Sequence, residues 1–361
     1  MKVLILANNS VGLYKFRKEL LSALLAQKNE VYISLPNGDF VSEMEQMGCR
    51  FIETEISRHG VNPVTDLKLL AKYVSVIKSV KPDIVFTYTI KPNVYGGLAC
   101  QLCKVPYFAN VTGLGTAIEN RGVLSFISLS LYKLGLKKAN CVFFQNKKNL
   151  KIFADKKIVC NNSKLIPGSG VNLDRFRPEP YPIGEKTIRF LFVGRMMKDK
   201  GIKELLVAVR KIHQKIENIV IDLVGVCEDE FKDEFQKIKN EPFICYHGYQ
   251  SDVKPFYSRC HCIVLPSYHE GTANVLLEAS AMARPVIATN IPGCQETFDE
   301  KITGFGCEVK NSDSLIKAMM NFLQLTQSEM KQMGEKAREK MVREFDRKIV
   351  INAYLEELAK I

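Results

Sequence analysis

Glu270 and Glu278 stand eight residues apart in the segment Ser267-Tyr268-His269-Glu270-Gly271-Thr272-Ala273-Asn274-Val275-Leu276-Leu277-Glu278. The apolar run before it, residues 262–265, reads as a strand that Pro266 ends, and the run from about Asn274 to Met282 reads as a helix. Glu270 then falls in the turn. The N–H groups of Gly271, Thr272 and Ala273 fall where a starting helix leaves donors unpaired, which suits phosphate. If 270–278 were helical throughout, the carboxylates would lie about 12 Å apart along the axis. A diphosphate fits that span, and carboxylates accept well from vicinal hydroxyls, so the chemistry implied is that of a nucleotide-sugar. Taken alone, the same spacing is what a solvated turn and a helix surface present, because charged residues are mostly exposed.

A second chemical cluster follows another strand-like run, residues 188–193. It is Gly194-Arg195-Met196-Met197-Lys198-Asp199-Lys200-Gly201, which then enters a helical pattern. In an open α/β sheet such a strand-to-helix turn lies at the carboxyl edge, where ligands bind. Arg195 and Lys200 there would neutralise charge growing on a departing phosphate.

These positions need a scaffold. The chain has 361 residues, more than one ordinary core accommodates, and two domains are expected. Strand and helix patterns alternate from Lys2 to Gln145 and again from Ile188 to Leu325, which predicts two doubly wound α/β domains with a cleft between them. The first helix is predicted over 17–27. The stretches 166–171 and 177–182, rich in Gly and Pro, are the linker candidate. The predicted boundaries are 1–167, 168–340 and a C-terminal helix, 341–361, returning to the first domain, within one charged helical run over 328–360.

Charge is one-sided. Residues 1–180 hold 25 Lys and Arg against 13 Asp and Glu, whereas 181–361 hold 26 of each, so the first half supplies the whole net charge of +12. That predicts an anionic partner for the first domain, such as the inner face of a membrane. The stretch 122–138 is too short and too interrupted to span a bilayer, and reads either as an interfacial helix ending in Lys137-Lys138 or as an ordinary helix packed on the sheet. No interleaving of aromatic and basic residues of the kind used on nucleic acid is visible. The 11 cysteines and the start at Met1-Lys2 leading straight into Val3-Leu4-Ile5 fit a reducing, cytoplasmic location. Cys100/Cys103 and the Cys260-His261-Cys262 run read as packing rather than as metal or redox sites.

The ordered set Gly168-Ser169-Gly170-Val171-Asn172, Gly194-Arg195 with Lys200-Gly201, Gly248-Tyr249, Pro266-Ser267 with Glu270 and Glu278, Arg284-Pro285-Val286, and Thr303-Gly304-Phe305-Gly306 resembles the retaining glycosyltransferases of family four. The resemblance implies the GT-B fold, with an acceptor-binding first domain and a donor-binding second one. It implies that Arg195 and Lys200 hold the nucleotide diphosphate, Glu270 the donor sugar and Glu278 the ribose. Thr272, Ala273 and Asn274 would meet the phosphates, Tyr249 the base, and His269 is a site candidate beside Glu270. Gly12, in Asn8-Asn9-Ser10-Val11-Gly12, occupies the place of a loop that faces the donor phosphates in the family; a plain turn capped by Ser10 or an asparagine is the competing reading.

The chain departs from the family where many members carry a histidine near the reacting carbon. The matching stretch, 108–116, holds Asn110 and Thr112, whose polar groups are expected to position the donor sugar. His59 is the only histidine of the first domain. The segment Tyr88-Thr89-Ile90-Lys91-Pro92-Asn93 resembles the subgroup that builds bacterial capsular, O-antigen or lipid-linked glycan units, which implies a polyprenyl-diphosphate acceptor, with Lys91 either meeting its diphosphate or solvated. The implied reaction moves a hexosyl or N-acetylhexosaminyl unit from a UDP-sugar to a sugar hydroxyl with retention. No cofactor and no metal are expected, there being no D-x-D pair. A UDP-sugar epimerase of the same architecture, or a non-catalytic membrane-associated assembly subunit, are the alternatives.

Overall fold

The computed structural model describes residues 1–57, 62–113, 123–159 and 162–361. It divides into two units, Met1–Ser169 with Ile349–Ile361, and Gly170–Lys348.

The first unit is built on a parallel sheet of β1 (Lys2–Leu6), β2 (Glu30–Leu35), β3 (Arg50–Glu53), β4 (Ile84–Tyr88), β5 (Tyr107–Val111), β6 (Cys141–Phe144) and β7 (Ser163–Leu165). The strand order is β3-β2-β1-β4-β5-β6-β7. Helices cover both faces, so the central strands read as unbroken apolar runs rather than alternating ones. The order reverses between β1 and β4, and there the connections leave on opposite faces of the sheet.

The helix after β1 spans Ser10–Ala26 and starts seven residues earlier than the sequence predicts. Asn9 caps it, accepting from Gly12 N–H at 2.5 Å. The polar Asn8-Asn9-Ser10 run, which reads as loop, is therefore a cap and first turn.

The second unit repeats the plan with β8 (Ile188–Val193), β9 (Ile219–Val224), β10 (Ile244–Tyr246), β11 (Cys262–Leu265), β12 (Val286–Thr289) and β13 (Gly304–Cys307), ordered β10-β9-β8-β11-β12-β13. Its reversal lies between β8 and β11. The loops that follow these two strands carry Arg195 and Lys200 on one side, Glu270 on the other.

Two expectations about connections change. Residues 177–182 are anchored to the second unit: the fully buried Arg284 guanidinium donates to the carbonyls of Glu179 and Pro180, and Tyr181 OH donates to His261 O at 2.8 Å. Arg284 also donates to Tyr257 O, Ser258 O and Met282 O, which explains how a guanidinium can be wholly buried. The C-terminal run is two helices, Gln327–Glu344 and Arg347–Leu358. The break at Phe345 and Asp346 lets Val171 N–H donate to Phe345 O and Arg347 N–H donate to Val171 O. Within the first unit, Tyr354 of the last helix stacks on Phe143 at 4.2 Å between ring centroids.

Candidate active site

The turn after β8 tightens into a single 3-10 turn, Lys198–Lys200, and Gly201 follows with φ 68°. A Cβ at Gly201 would lie 2.1 Å from Pro266 O, so only glycine lets this loop pack against the exit of β11. Asp199 O accepts from Tyr268 N–H at 2.8 Å, closing the same contact one step on. The result is short and rigid. Lys200 Nζ lies 2.5 Å from Glu270 Oε1, both side chains being largely shielded from solvent.

Glu270 is held from behind. Gly293, in the turn after β12, has φ 89°, and a Cβ there would sit 2.6 Å from Glu270 O and 2.7 Å from Gly271 O. The turn is pinned by Gly293 N–H donating to Glu296 Oε2 at 2.7 Å. Ala273 N–H donates to Gly293 O at 2.8 Å. This corrects the expected role of Ala273: its donor is spent on the turn that supports Glu270, and is not offered to a phosphate. The helix begins at Asn274 and runs to Ala281. Glu270 therefore lies outside it, and the span of a continuous helix over 270–278 does not apply. Asn274 Oδ1 is buried, and no partner for it is found among the described residues. Gly271 and Thr272 complete the turn between Glu270 and this helix.

Glu278 is half-buried on the helix, and its Oε2 accepts from Tyr257 OH at 2.9 Å. Burial, and then the Glu278 charge, push the Tyr257 hydroxyl well above its ordinary pKa, so it remains a donor. One carboxylate oxygen is thereby fixed. Arg195 is 63% exposed and pairs with Glu228 at 3.2 Å across a solvated surface. Tyr249 is also 63% exposed, just after Gly248, whose carbonyl accepts from Gly225 N–H at 2.8 Å. His269 is exposed beside Glu270.

His261 is fully buried with both ring nitrogens engaged: Arg189 N–H donates to Nδ1 at 3.1 Å, and Nε2–H donates to Pro182 O at 3.1 Å. Burial lowers its pKa, and the ring is neutral. Cys260 and Cys262 are buried beside it, their thiols pushed up by burial, so this run packs the core.

The first unit revises more of the sequence reading. Gly12 N–H is committed to the Asn9 cap, which removes it as a phosphate donor. Asn110 is buried in β5, and its amide donates to Tyr354 OH. It locks the last helix rather than reaching a sugar. Lys91 is neither solvated nor free for a diphosphate: its Nζ lies 2.8 Å from Oδ1 of the buried Asp66, whose other oxygen accepts from Tyr95 OH at 2.9 Å. His59 and the stretch 114–116 lie outside the described residues.

Sequence reasoning missed Gly293, Ala273 as a support, and Tyr257. The Pro292-Gly293 turn signal with Glu296 three residues on was visible, but its contact with Glu270 was not.

Comparison with known proteins agrees with this geometry. Residues 174–340 match the profile of glycosyl transferases group 1, and residues 2–146 that of glycosyl transferase 4-like proteins. The chain is 27% identical to the N,N'-diacetylbacillosaminyl-diphospho-undecaprenol alpha-1,3-N-acetylgalactosaminyltransferase of Campylobacter jejuni, over 98% of this chain and 97% of that one. It is also 27% identical to the Escherichia coli UDP-Gal:alpha-D-GlcNAc-diphosphoundecaprenol alpha-1,3-galactosyltransferase, over 72% and 71%. Among solved structures, a glycosyltransferase from Rickettsia africae superposes with a TM-score of 0.81 at 23% identity, covering 98% of this chain and 97% of that one. The Anabaena protein HepE in complex with UDP and glucose superposes with a TM-score of 0.82 at 17% identity over the whole of both chains. The chain belongs to family four of the glycosyltransferases, and is a glycosyltransferase of the GT-B fold.

Proposed function

We propose that this enzyme transfers a hexosyl or N-acetylhexosaminyl unit from a UDP-sugar to a sugar borne on a polyprenyl diphosphate, in the assembly of a bacterial surface polysaccharide or glycan. The observation that carries this reading is the contact of Lys200 with Glu270 at the sheet reversal of the second unit. It sets a cation for a diphosphate beside a carboxylate for sugar hydroxyls. The activities of the Campylobacter and E. coli relatives, both on diphosphoundecaprenol-linked sugars, supply the acceptor class.

In this reading Lys200 and Arg195 take up the charge that grows on the departing diphosphate. The Asn274 end of the helix, with Gly271 and Thr272 leading into it, meets the phosphates. Glu278, oriented by Tyr257, binds the ribose, Tyr249 lies by the base, and His269 flanks the donor sugar. The acceptor hydroxyl attacks the face that the diphosphate leaves. The bond from the anomeric carbon to the phosphate oxygen breaks, the bond to the acceptor oxygen forms, and the proton passes to the departing phosphate oxygen. Retention follows, and Glu270 orients the sugar. The positive field comes from the protein, so the reaction is expected to run without a metal.

Membrane association belongs to the same reading. None of the helices among the described residues is long and apolar enough to cross a membrane. The helix Val123–Leu136 exposes Phe126, Ile127 and Leu134, and Lys133, Lys137 and Lys138 stand at its end. That combination suits peripheral binding to the anionic cytoplasmic face of the membrane.

The test is incubation of the purified enzyme with a panel of UDP-sugars, with and without lipid-linked acceptors, reading UDP release. Release that requires one acceptor supports transfer. Conversion of the UDP-sugar without acceptor favours an epimerase, and no turnover with any pair sinks the proposal.

A further inference from the structure

Asp222 stands within β9 with no exposed surface. A buried carboxylate is costly to a core, and an apolar residue of similar volume often serves a sheet at least as well. Here three donors from three elements compensate it. Arg189 of β8 donates to Oδ2 at 3.2 Å, Arg259 Nε donates to the same oxygen at 3.2 Å, and Oδ1 lies 2.6 Å from His247 Nε2. A carboxylate only accepts, so that ring nitrogen carries the hydrogen.

His247 and Arg259 are the two ends of one segment. His247 directly follows β10, and Arg259 is the last residue of the helix Lys254–Arg259. The loop between them, 248–253, carries Tyr249. One buried carboxylate therefore clamps this loop at its root and at the far end of the helix it leads into. Phe256 packs against both clamped side chains: its ring meets that of His247 edge-on at 4.9 Å, and the Arg259 guanidinium lies over it at 4.5 Å. Gln250 Nε2 donates to His247 O at 2.8 Å, and Lys254 N–H donates to Asp252 Oδ1 at 3.2 Å, so the loop is also closed on itself.

The clamped loop is tied in turn to the one that carries Arg195 and Lys200. Gly194 N–H donates to Val224 O at 2.9 Å and Gly225 N–H to Gly248 O at 2.8 Å, which bonds the exits of β8, β9 and β10 in a row. Tyr249 remains 63% exposed on this fixed root. A contact loop already held in its bound conformation loses little ordering entropy when a ligand arrives, and affinity rises accordingly.

We infer that Asp222, acting through His247 and Arg259, is a positioning residue for recognition of the nucleotide base. It holds loop 248–253 so that the base is selected at Tyr249 while the diphosphate lies on Arg195 and Lys200. The inference rests on the donor roles proposed above for these three residues.

The experiment measures binding of UDP and of ADP by calorimetry, and kcat and KM with the UDP-sugar found active in the donor panel. It compares the wild type with His247→Leu, His247→Gln and Arg259→Met. Both side chains are partly exposed, so the variants are expected to fold, which melting curves check; should one fail, the other position carries the test. His247→Leu and Arg259→Met are each expected to raise the Kd for UDP and the KM for UDP-sugar about tenfold, with kcat and the Kd for ADP little changed. His247→Gln, whose amide can donate to Asp222, should recover most of that loss. A clamp that merely stabilises the fold would weaken UDP and ADP alike. That outcome, or wild-type UDP affinity in a folded His247→Leu or Arg259→Met, would overturn the inference. A wild type that binds UDP no more tightly than ADP removes the base reading at Tyr249 itself, and this inference with it.

Discussion

Lys200 and Glu270 are 70 residues apart in sequence, yet Lys200 Nζ and Glu270 Oε1 lie 2.5 Å apart. The pair joins the loop after β8 to the turn after β11, so each charge sets the position of the other. Lys200→Ala and Glu270→Gln are each expected to lower kcat/KM for the UDP-sugar by about 10²–10³-fold, measured as UDP release. The double variant should lose far less than the product of the two single losses, because both remove one unit. Multiplicative losses would show that the two side chains act separately.

The glycines behind this pair make a stability prediction. Gly201→Ala puts a methyl group against Pro266 O at 2.1 Å and strains a left-handed residue, so it should destabilise the second unit by about 2–4 kcal/mol in thermal or denaturant melts. Gly293→Ala should do the same, since its Cβ would press on Glu270 O. Unchanged melting in both variants would contradict the rigid backing described for Glu270.

Tyr257→Phe removes the hydroxyl that fixes one oxygen of Glu278. The expected loss is about 1 kcal/mol of stability and a several-fold rise in the KM for UDP-sugar, with kcat little altered. A fall in kcat at constant KM would move Glu278 from binding to the chemical step.

Acid sensitivity should centre on the last helix. Burial raises the pKa of Glu357, but hydrogen bonds from Lys164, Lys360 and Asn162 outweigh it and pull the carboxyl down to about 2. A depressed carboxylate pKa stabilises the fold above its unfolded value, about 4.3, and that contribution fades as pH falls toward 2. Glu357→Gln should therefore flatten the pH dependence of stability between about pH 4.5 and 2, read by circular dichroism, and lower stability at neutral pH. An unchanged acid profile would show that these hydrogen bonds contribute nothing to the fold.

Much of this was legible in the chain. Unbroken apolar strands alternating with helical runs imply the two parallel sheets, and the two loops at the carboxyl edge of the second sheet are visible from glycines and charges after strand-like segments. What was not legible depends on contacts between distant residues. Asn110 looked available to a sugar until Tyr354, 244 positions away, was seen to take its amide. Ala273 looked like an open helix donor because nothing local marks Gly293 as its acceptor. Lys91 looked like a loop cation, but helix Pro63–Val80 brings the buried Asp66 to it. The helix beginning at Ser10 was missed because its capping residues have the composition of a loop.

Transfer of one sugar to a lipid-linked acceptor with retention is read from mass and NMR analysis of the acceptor after incubation with the active UDP-sugar. The acceptor should gain one hexosyl or N-acetylhexosaminyl unit in the same anomeric configuration as the donor, a gain lost in Glu270→Gln and Lys200→Ala. An unmodified acceptor beside an isomerised UDP-sugar, or a product of inverted configuration, would contradict it.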